Sequence, residues 1–319
     1  MKPSKLILPL VALCAGCADN AGTPIAAPAA NGNRPAAAAS TASLTEARRG
    51  FASRPGPPQQ RGDAPDPPPA GVFQLVRYKS PVGDLSTYIT PDPGDGAKHP
   101  AIVWITGGDC NSIGEAWKDE PRSNDQTAAA YRKAGVVLMM PSLRGGNDNP
   151  GRREGFLGEV DDVLAAADYL AAQPYVDPKR IYLGGHSTGG TLAMLVAESS
   201  DRFRAVFAFG PVDNVRGYGP QFLHYDTSNP KETELRSPGR WLHSVKSPLF
   251  VLEGVSGNAG PLVAMRSASK NPLIRFALVP GVDHFGILAP ANEKIAAKIL
   301  ADNGPTMNIT LTEGELGGR

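Results

Sequence analysis

The stretch Arg180-Ile181-Tyr182-Leu183-Gly184-Gly185-His186-Ser187-Thr188-Gly189-Gly190-Thr191-Leu192-Ala193-Met194-Leu195-Val196-Ala197 decides the fold. Its first residues are apolar and β-rich, and its last seven are strong helix formers, so the chain turns from strand to helix within a few residues. Between them lies Gly185-His186-Ser187-Thr188-Gly189. A serine at so sharp a turn stands exposed above the sheet, and the next residue's N–H, at the helix start, is aimed to hold an oxyanion. The flanking glycines belong there because larger side chains would clash where the turn folds tightly. A bare GxSxG pattern arises often by chance; its flanks make Ser187 a candidate nucleophile. A mere glycine-rich turn would leave the helix packed directly against it unexplained.

A serine hydroxyl needs an imidazole to take its proton, because its own pKa leaves almost no alkoxide at neutral pH. The chain has five histidines. His99 precedes a proline ahead of a strand, His186 points away from the nucleophile's face, and His224 and His243 lie in an irregular insert. His284 alone occupies the loop after a last strand, Ile274-Arg275-Phe276-Ala277-Leu278-Val279, ahead of a helix-like run from Ala291 to Leu300. It is the candidate base.

Several segments, taken in order, resemble the catalytic domain of the prolyl-oligopeptidase-like branch of the α/β-hydrolases. They are Arg144-Gly145-Gly146, the helix start Glu159-Val160-Asp161-Asp162-Val163, the run Val176 to Gly190, Ser237-Pro238, Ser247-Pro248 and Asp283-His284-Phe285. The resemblance covers roughly residues 72 to 303. It implies an α/β-hydrolase fold, a Ser-His-acid triad, and ester or peptide hydrolysis; it implies no particular substrate.

In that family the triad acid sits three residues beyond the glycine closing the seventh strand. Here the strand is Pro248-Leu249-Phe250-Val251-Leu252-Glu253-Gly254, and the position is Gly257, which has no carboxylate. The acid's work is to fix the imidazole tautomer and stabilise the imidazolium, so a carboxylate is expected nearby. Glu253 is the first candidate, since an ionisable residue closing a buried strand needs a partner. Asp213, after the strand Ala205-Val206-Phe207-Ala208-Phe209, is the second, and no acid at all is the third reading. For the oxyanion hole, the loop Thr106-Gly107-Gly108-Asp109-Cys110 after the third strand offers the Gly108 and Asp109 amides, with Thr188 supplying the other. The family usually has a histidine where Thr106 stands, and the tyrosine that some of its peptidases use as a hydroxyl donor is missing near this loop.

At the N-terminus, Lys2 and Lys5 precede the apolar run Leu6-Ile7-Leu8-Pro9-Leu10-Val11-Ala12-Leu13, far too short to span a bilayer. It ends in Cys14-Ala15-Gly16-Cys17, which resembles a bacterial lipoprotein signal with Cys17 as the lipidated residue. Residues 1–17 are accordingly expected to be a signal peptide, with a lipid-anchored place in the cell envelope and ordinary secretion as the alternative. Residues 18–70, rich in Ala and Pro, are expected to form a disordered tether. The domain is expected over 71–305, with a C-terminal tail at 306–319. Because the tether leaves no room for the N-terminal propeller of the oligopeptidases, esterase is expected ahead of peptidase.

Within the domain, Val72 to Tyr78 and Leu85 to Thr90 read as a hairpin. Strands then alternate with helical runs at Asn124 to Ala134, Glu159 to Ala172, Thr191 to Glu198 and Ala291 to Leu300. That alternation predicts a mainly parallel, doubly wound α/β sheet with flanking helices. Residues 214–246 break the rhythm and form either a small cap over the serine or an ordinary crossover. The formal charge of +1, from 32 basic and 31 acidic residues, leaves no nucleic-acid footprint. Cys110 is the third and last cysteine, so the mature domain has no disulfide scaffold. No metal-ligand spacing and no phosphate loop occur, so a cofactor-free serine hydrolase acting on a small-molecule ester or peptide is expected. The alternative is a catalytically silent α/β-hydrolase-fold binding protein, suggested by the missing acid.

Overall fold

The computed structural model describes residues 42–57 and 62–317. Two antiparallel strands, β1 (Gln74–Ser80) and β2 (Gly83–Ile89), form the expected hairpin. Beyond them run β3 (His99–Ile105), β4 (Val137–Pro141), β5 (Val176–His186), β6 (Val206–Phe209), β7 (Leu249–Gly254) and β8 (Ile274–Val279). They assemble into one eight-stranded sheet of order β1-β2-β4-β3-β5-β6-β7-β8. Pairing is antiparallel up to the β2–β4 contact and parallel from β4 to β8. Crossovers that join parallel strands need helices, which explains the alternation read in the sequence.

The helices are α1 (Leu44–Arg48), α2 (Ala129–Lys133), α3 (Glu159–Ala171), α4 (Thr188–Ser199), α5 (Pro230–Arg236), α6 (Ala259–Ala268), α7 (Leu288–Ala301) and α8 (Glu313–Leu316). Side chains alternate across the sheet with the period of two that a strand imposes. Ile181, Leu183, Val206, Ala208 and Val251 join the core under α3, α4 and α6. Tyr182, Phe207, Phe209, Phe250 and Leu252 join the core under α2 and α7. Each large apolar side chain buried in this way stabilises the fold by about 1.5–3 kcal/mol. The α/β-hydrolase type of sheet, mainly parallel with helices on both faces, is thus what forms.

Two boundaries differ from expectation for local reasons. α2 begins at Ala129 rather than near Asn124, because Asp125 Oδ1 accepts from the Thr127 N–H (3.1 Å) and Ala128 takes a left-handed φ of 51°. An Asx turn of this kind competes with the helix and delays it. The 214–246 insert is neither wholly irregular nor a plain crossover. It carries α5 and several 3₁₀ turns, and Tyr218 from it reaches back to α4.

The expectation of a disordered tether over 18–70 is corrected for residues 42–57 and 62–70. Ser43 caps α1 in a capping box with Glu46, and Leu44 is fully buried. Arg48 donates to the Leu157 carbonyl at 2.9 Å, and Pro55 pairs with Tyr225 of the insert. Further on, Tyr88 donates its hydroxyl to the Asp66 carbonyl at 2.7 Å. Composition missed this because one buried leucine and main-chain hydrogen bonds suffice to dock a polar arm onto a core built elsewhere. The compact unit begins at Ala42 rather than residue 71. The 306–319 tail also packs as far as it is described, with Ile309 and Leu316 buried and α8 set against β8 and α7. The signal peptide 1–17, Cys17 and the first part of the tether lie outside the described residues; among the described ones no helix is long and apolar enough to cross a membrane.

Candidate active site

Strand β5 ends at His186, and α4 starts at Thr188, leaving Ser187 alone at the turn. Its backbone sits at φ 54°, ψ −113°, a conformation that L-residues adopt only where the surroundings impose it. The Ser187 N–H donates to the Phe209 carbonyl at 2.7 Å, and its own carbonyl accepts from Thr191 N–H at 2.9 Å. The turn closes so tightly that a Cβ on Gly185 would strike the Gly189 carbonyl, and one on Gly189 the Ile105 carbonyl. These contacts lift the serine side chain to the carboxyl ends of the parallel strands, where open α/β sheets place their sites.

His284 and Glu253 meet at the same end. The β7–β8 pairing sets Glu253 opposite Leu278, and the loop after β8 brings His284 back over it. His284 Nδ1 donates to Glu253 Oε2 at 2.8 Å, and Glu253 Oε1 accepts the Gly254 N–H at 2.7 Å. Glu253 is fully buried, while the His284 side chain keeps 20% of its exposure. Beneath the pair lies Gly210, the residue after Phe209, at φ 56°. A Cβ there would fall 2.6 Å from His284 Nδ1 and 2.8 Å from Glu253 Oε2. The Ser187 N–H is bonded to Phe209 and the Glu253–His284 pair lies against the next residue, Gly210, so the serine turn and the pair meet at the end of β6, with His284 Nδ1 already engaged.

Asp213 lies elsewhere. Its carbonyl accepts the Gly239 N–H at 2.9 Å, and among the described residues it makes no hydrogen bond to His284. Asp283, beside the base, turns its Oδ1 to the N–H groups of Phe285 (3.1 Å) and Gly286 (2.7 Å) and so shapes the loop.

The residues expected to hold the oxyanion also come together. Thr188 Oγ1 donates to the Gly108 carbonyl at 3.0 Å, tying the helix start to the loop after β3. Gly108 takes φ 72°, which its lack of a Cβ makes inexpensive. Asp109 keeps its main chain in that loop while its side chain pairs with Arg153 (Oδ2 to Nη2, 2.8 Å). The neighbouring Cys110 thiol is pushed up by burial, so it is no thiolate.

Two participants were not legible in the sequence. Tyr218, from the insert, bonds Thr191 Oγ1 at 2.8 Å and reaches the Ser187 side chain; burial pushes its phenol pKa up, so it stays a hydroxyl. Gln126 lies 3.0 Å from His186 Nδ1. Neither stands in a motif; Tyr218 belongs to the 214–246 insert, which the sequence leaves as either a cap over the serine or a crossover.

Comparison with known proteins adds a partial family match and several likenesses. The prolyl oligopeptidase family matches residues 122–257, a segment that contains Ser187 and Glu253. Dipeptidyl-peptidase 5 of Porphyromonas gingivalis is 25% identical over 195 residues, covering 54% of this chain and 28% of that protein. A puromycin-hydrolyzing peptidase of Mycobacterium tuberculosis superposes with a TM-score of 0.59 at 20% identity, over 74% of this chain and 40% of that one. An esterase of Pyrobaculum calidifontis superposes with a TM-score of 0.53 at 18% identity, over 73% of this chain and 86% of its own. The fold is that of the α/β-hydrolases. The chain spans under a third of the dipeptidyl-peptidase it matches. The proteins this chain resembles include peptidases and esterases alike.

Proposed function

We propose that the chain is a cell-envelope serine hydrolase that cleaves ester or peptide bonds through an acyl-enzyme on Ser187. The observation that carries this reading is the 2.8 Å hydrogen bond from His284 Nδ1 to the buried Glu253, beside the strained serine turn. With Nδ1–H held by Glu253, the lone pair of His284 resides on Nε2 and accepts the Ser187 proton as Oγ attacks the acyl carbon. Charge that develops on the carbonyl oxygen is taken up by the Thr188 amide and the Gly108 and Asp109 amides. Imidazolium then returns the proton to the leaving alcohol or amine, and the acyl group remains on Ser187. Water, deprotonated by the same Nε2, releases the acid and restores the serine. A catalytically silent binding protein was suggested by the absent carboxylate at position 257; a carboxylate arriving from Glu253 favours chemistry.

Ser187→Ala tests the reading. A fluorophosphonate should label the parent and not the variant, and turnover of an activated ester should fall by roughly four or more orders of magnitude with the fold intact. An alanine variant as fast as the parent overturns it.

The envelope part of the proposal rests on Ala15-Gly16-Cys17. Acyl chains on Cys17 would hold the protein at a membrane surface, since anchoring grows with each buried CH₂. Palmitate labelling and membrane partitioning should be lost in Cys17→Ser; labelling that persists removes the anchor.

A further inference from the structure

The ring of His186 joins the two loops that the proposed chemistry requires. Its Nε2 lies 3.0 Å from the main-chain oxygen of His284, and its Nδ1 lies 3.0 Å from the Gln126 carboxamide. The ring is fully buried, with its centroid 4.5 Å from that of His284 and 5.5 Å from that of Phe285. A carbonyl oxygen can only accept, so Nε2 carries the proton and donates it. Nδ1 then accepts from the Gln126 carboxamide NH₂, a turn of the amide that also requires Asn124 to present its NH₂ in place of Oδ1 (3.1 Å) and that gives up the long 3.4 Å contact from the Gly107 N–H. A second proton is opposed by burial and by the nearby His284, which together bring the His186 pKa down to about 3. The space is shaped for this ring, since a Cβ on Gly107 would lie 2.7 Å from Nδ1.

We propose that His186 is a positioning residue for the base, an inference that rests on the hydrolase reading. Its Nε2–H holds the main chain of the His284 loop, and Gln126 ties the ring to the segment beside the oxyanion loop. The bond is made to the carbonyl of His284, not to its imidazole, so it persists while that imidazole gains and loses a proton. Glu253 holds the ring of the base and His186 holds its backbone. Neutrality is part of the device: a charged His186 would sit 4.5 Å from the imidazolium and oppose its formation. A histidine that merely filled core volume would have no need of a donor at this carbonyl.

The test compares His186→Leu, which keeps similar volume without a donor, with His186→Gln, which restores an N–H. In the leucine variant kcat should fall by about 10- to 100-fold, the loss expected of a misplaced catalytic group, with KM unchanged. The glutamine variant should recover most of it. The low-field proton signal of the His284–Glu253 hydrogen bond should broaden in the first and sharpen again in the second. A folded leucine variant with parent kcat and parent proton spectrum overturns the proposal, as does equal loss in both variants at equal melting temperature. If the leucine variant does not fold, Gln126→Leu takes its place, and a several-fold loss of kcat is expected; a parent-like rate and spectrum there overturn the proposal. Failure of the parent to react with a fluorophosphonate would sink the hydrolase reading instead, and the proton signal would still report on the base loop.

Discussion

Position 257 explains how one residue's identity depends on another's. A Cβ on Gly257 would lie 2.6 Å from Glu253 Oε1 and 2.6 Å from the His284 main-chain nitrogen. The glycine is there because the Glu253 carboxylate occupies the volume into which a residue at 257 would project. The carboxylate that meets His284 is therefore supplied from the end of β7, on a side chain one methylene longer than an aspartate and four residues early, and the later position is emptied to admit it. Glu253→Gln should lower kcat by roughly 10³ to 10⁴, through loss of tautomer control and imidazolium stabilisation. Gly257→Asp alone should impair activity by crowding, and should recover part of it when combined with Glu253→Gly. Kinetics on the four members of this cycle measure the coupling. A harmless Gly257→Asp, or a Glu253→Gln variant at parent rate, would contradict the assignment. In the sequence, Ser187 and His284 were marked by pattern and Glu253 by its place at the end of a buried strand. The contact between Glu253 and Gly257 was not, because it depends on the path of a loop.

Among the elements, α4 carries both the site and a liability. It is buried from Thr188 to Glu198, apolar nearly all round, as a central helix should be. Glu198 breaks the pattern: neither carboxyl oxygen has a hydrogen-bond partner among the described residues, and burial raises its pKa well above the ordinary 4.5. The neutral acid is the form that suits this site. The stability it contributes is fully present below the unfolded pKa and is lost as pH rises through the raised folded value. Glu198→Met removes the unpaired group at similar volume and should stabilise the fold by about 1–3 kcal/mol near neutral pH. Its advantage should shrink toward pH 4, near the ordinary carboxyl pKa. Thermal melts of parent and variant across pH check this, and a parent that is the more stable at neutral pH would show that Glu198 has a partner. Periodicity found α3, α4 and α7 but not α6, whose buried residues are only Leu262 and Met265. Two apolar contacts leave too weak a stripe to read.

At the scale of the whole molecule, the arm before the sheet completes the insert. Glu232 and Arg236 are both fully buried and pair at 2.5 Å. Arg236 Nη2 donates to Ser53 Oγ at 2.7 Å, Arg54 N–H donates to Glu232 Oε1 at 2.5 Å, and Gly56 N–H donates to the His224 carbonyl at 2.8 Å. A buried ion pair is tolerable only when its remaining donors and lone pairs are satisfied, and the arm satisfies them. The same insert carries Tyr218 to Ser187, so arm and site are linked through it. Leu44→Ala should cost about 2–5 kcal/mol of arm docking. Trypsin should then cut at Arg48 and Arg49 at least about tenfold faster, because cleavage of a locally opened segment follows its opening equilibrium. Unchanged cleavage would mean that Leu44 does not hold the arm.

The sequence by itself determined the strand-helix alternation and the position of the serine turn, since each rests on local sterics or on a short-range period. The apolar strands had to be buried on both faces, and Gly185 and Gly189 had to flank a serine that nothing else could accommodate so tightly. Only the tertiary structure decided which carboxylate meets His284, because Glu253 closes β7 while Asp213 lies in the loop beyond the neighbouring β6, and their side chains go to different places. Tertiary structure also decided that residues 42–57 and 62–70 pack, and that His186 faces the His284 carbonyl. Each of these depends on hydrogen bonds between residues tens to hundreds of positions apart, whose partners exist only once the sheet has formed.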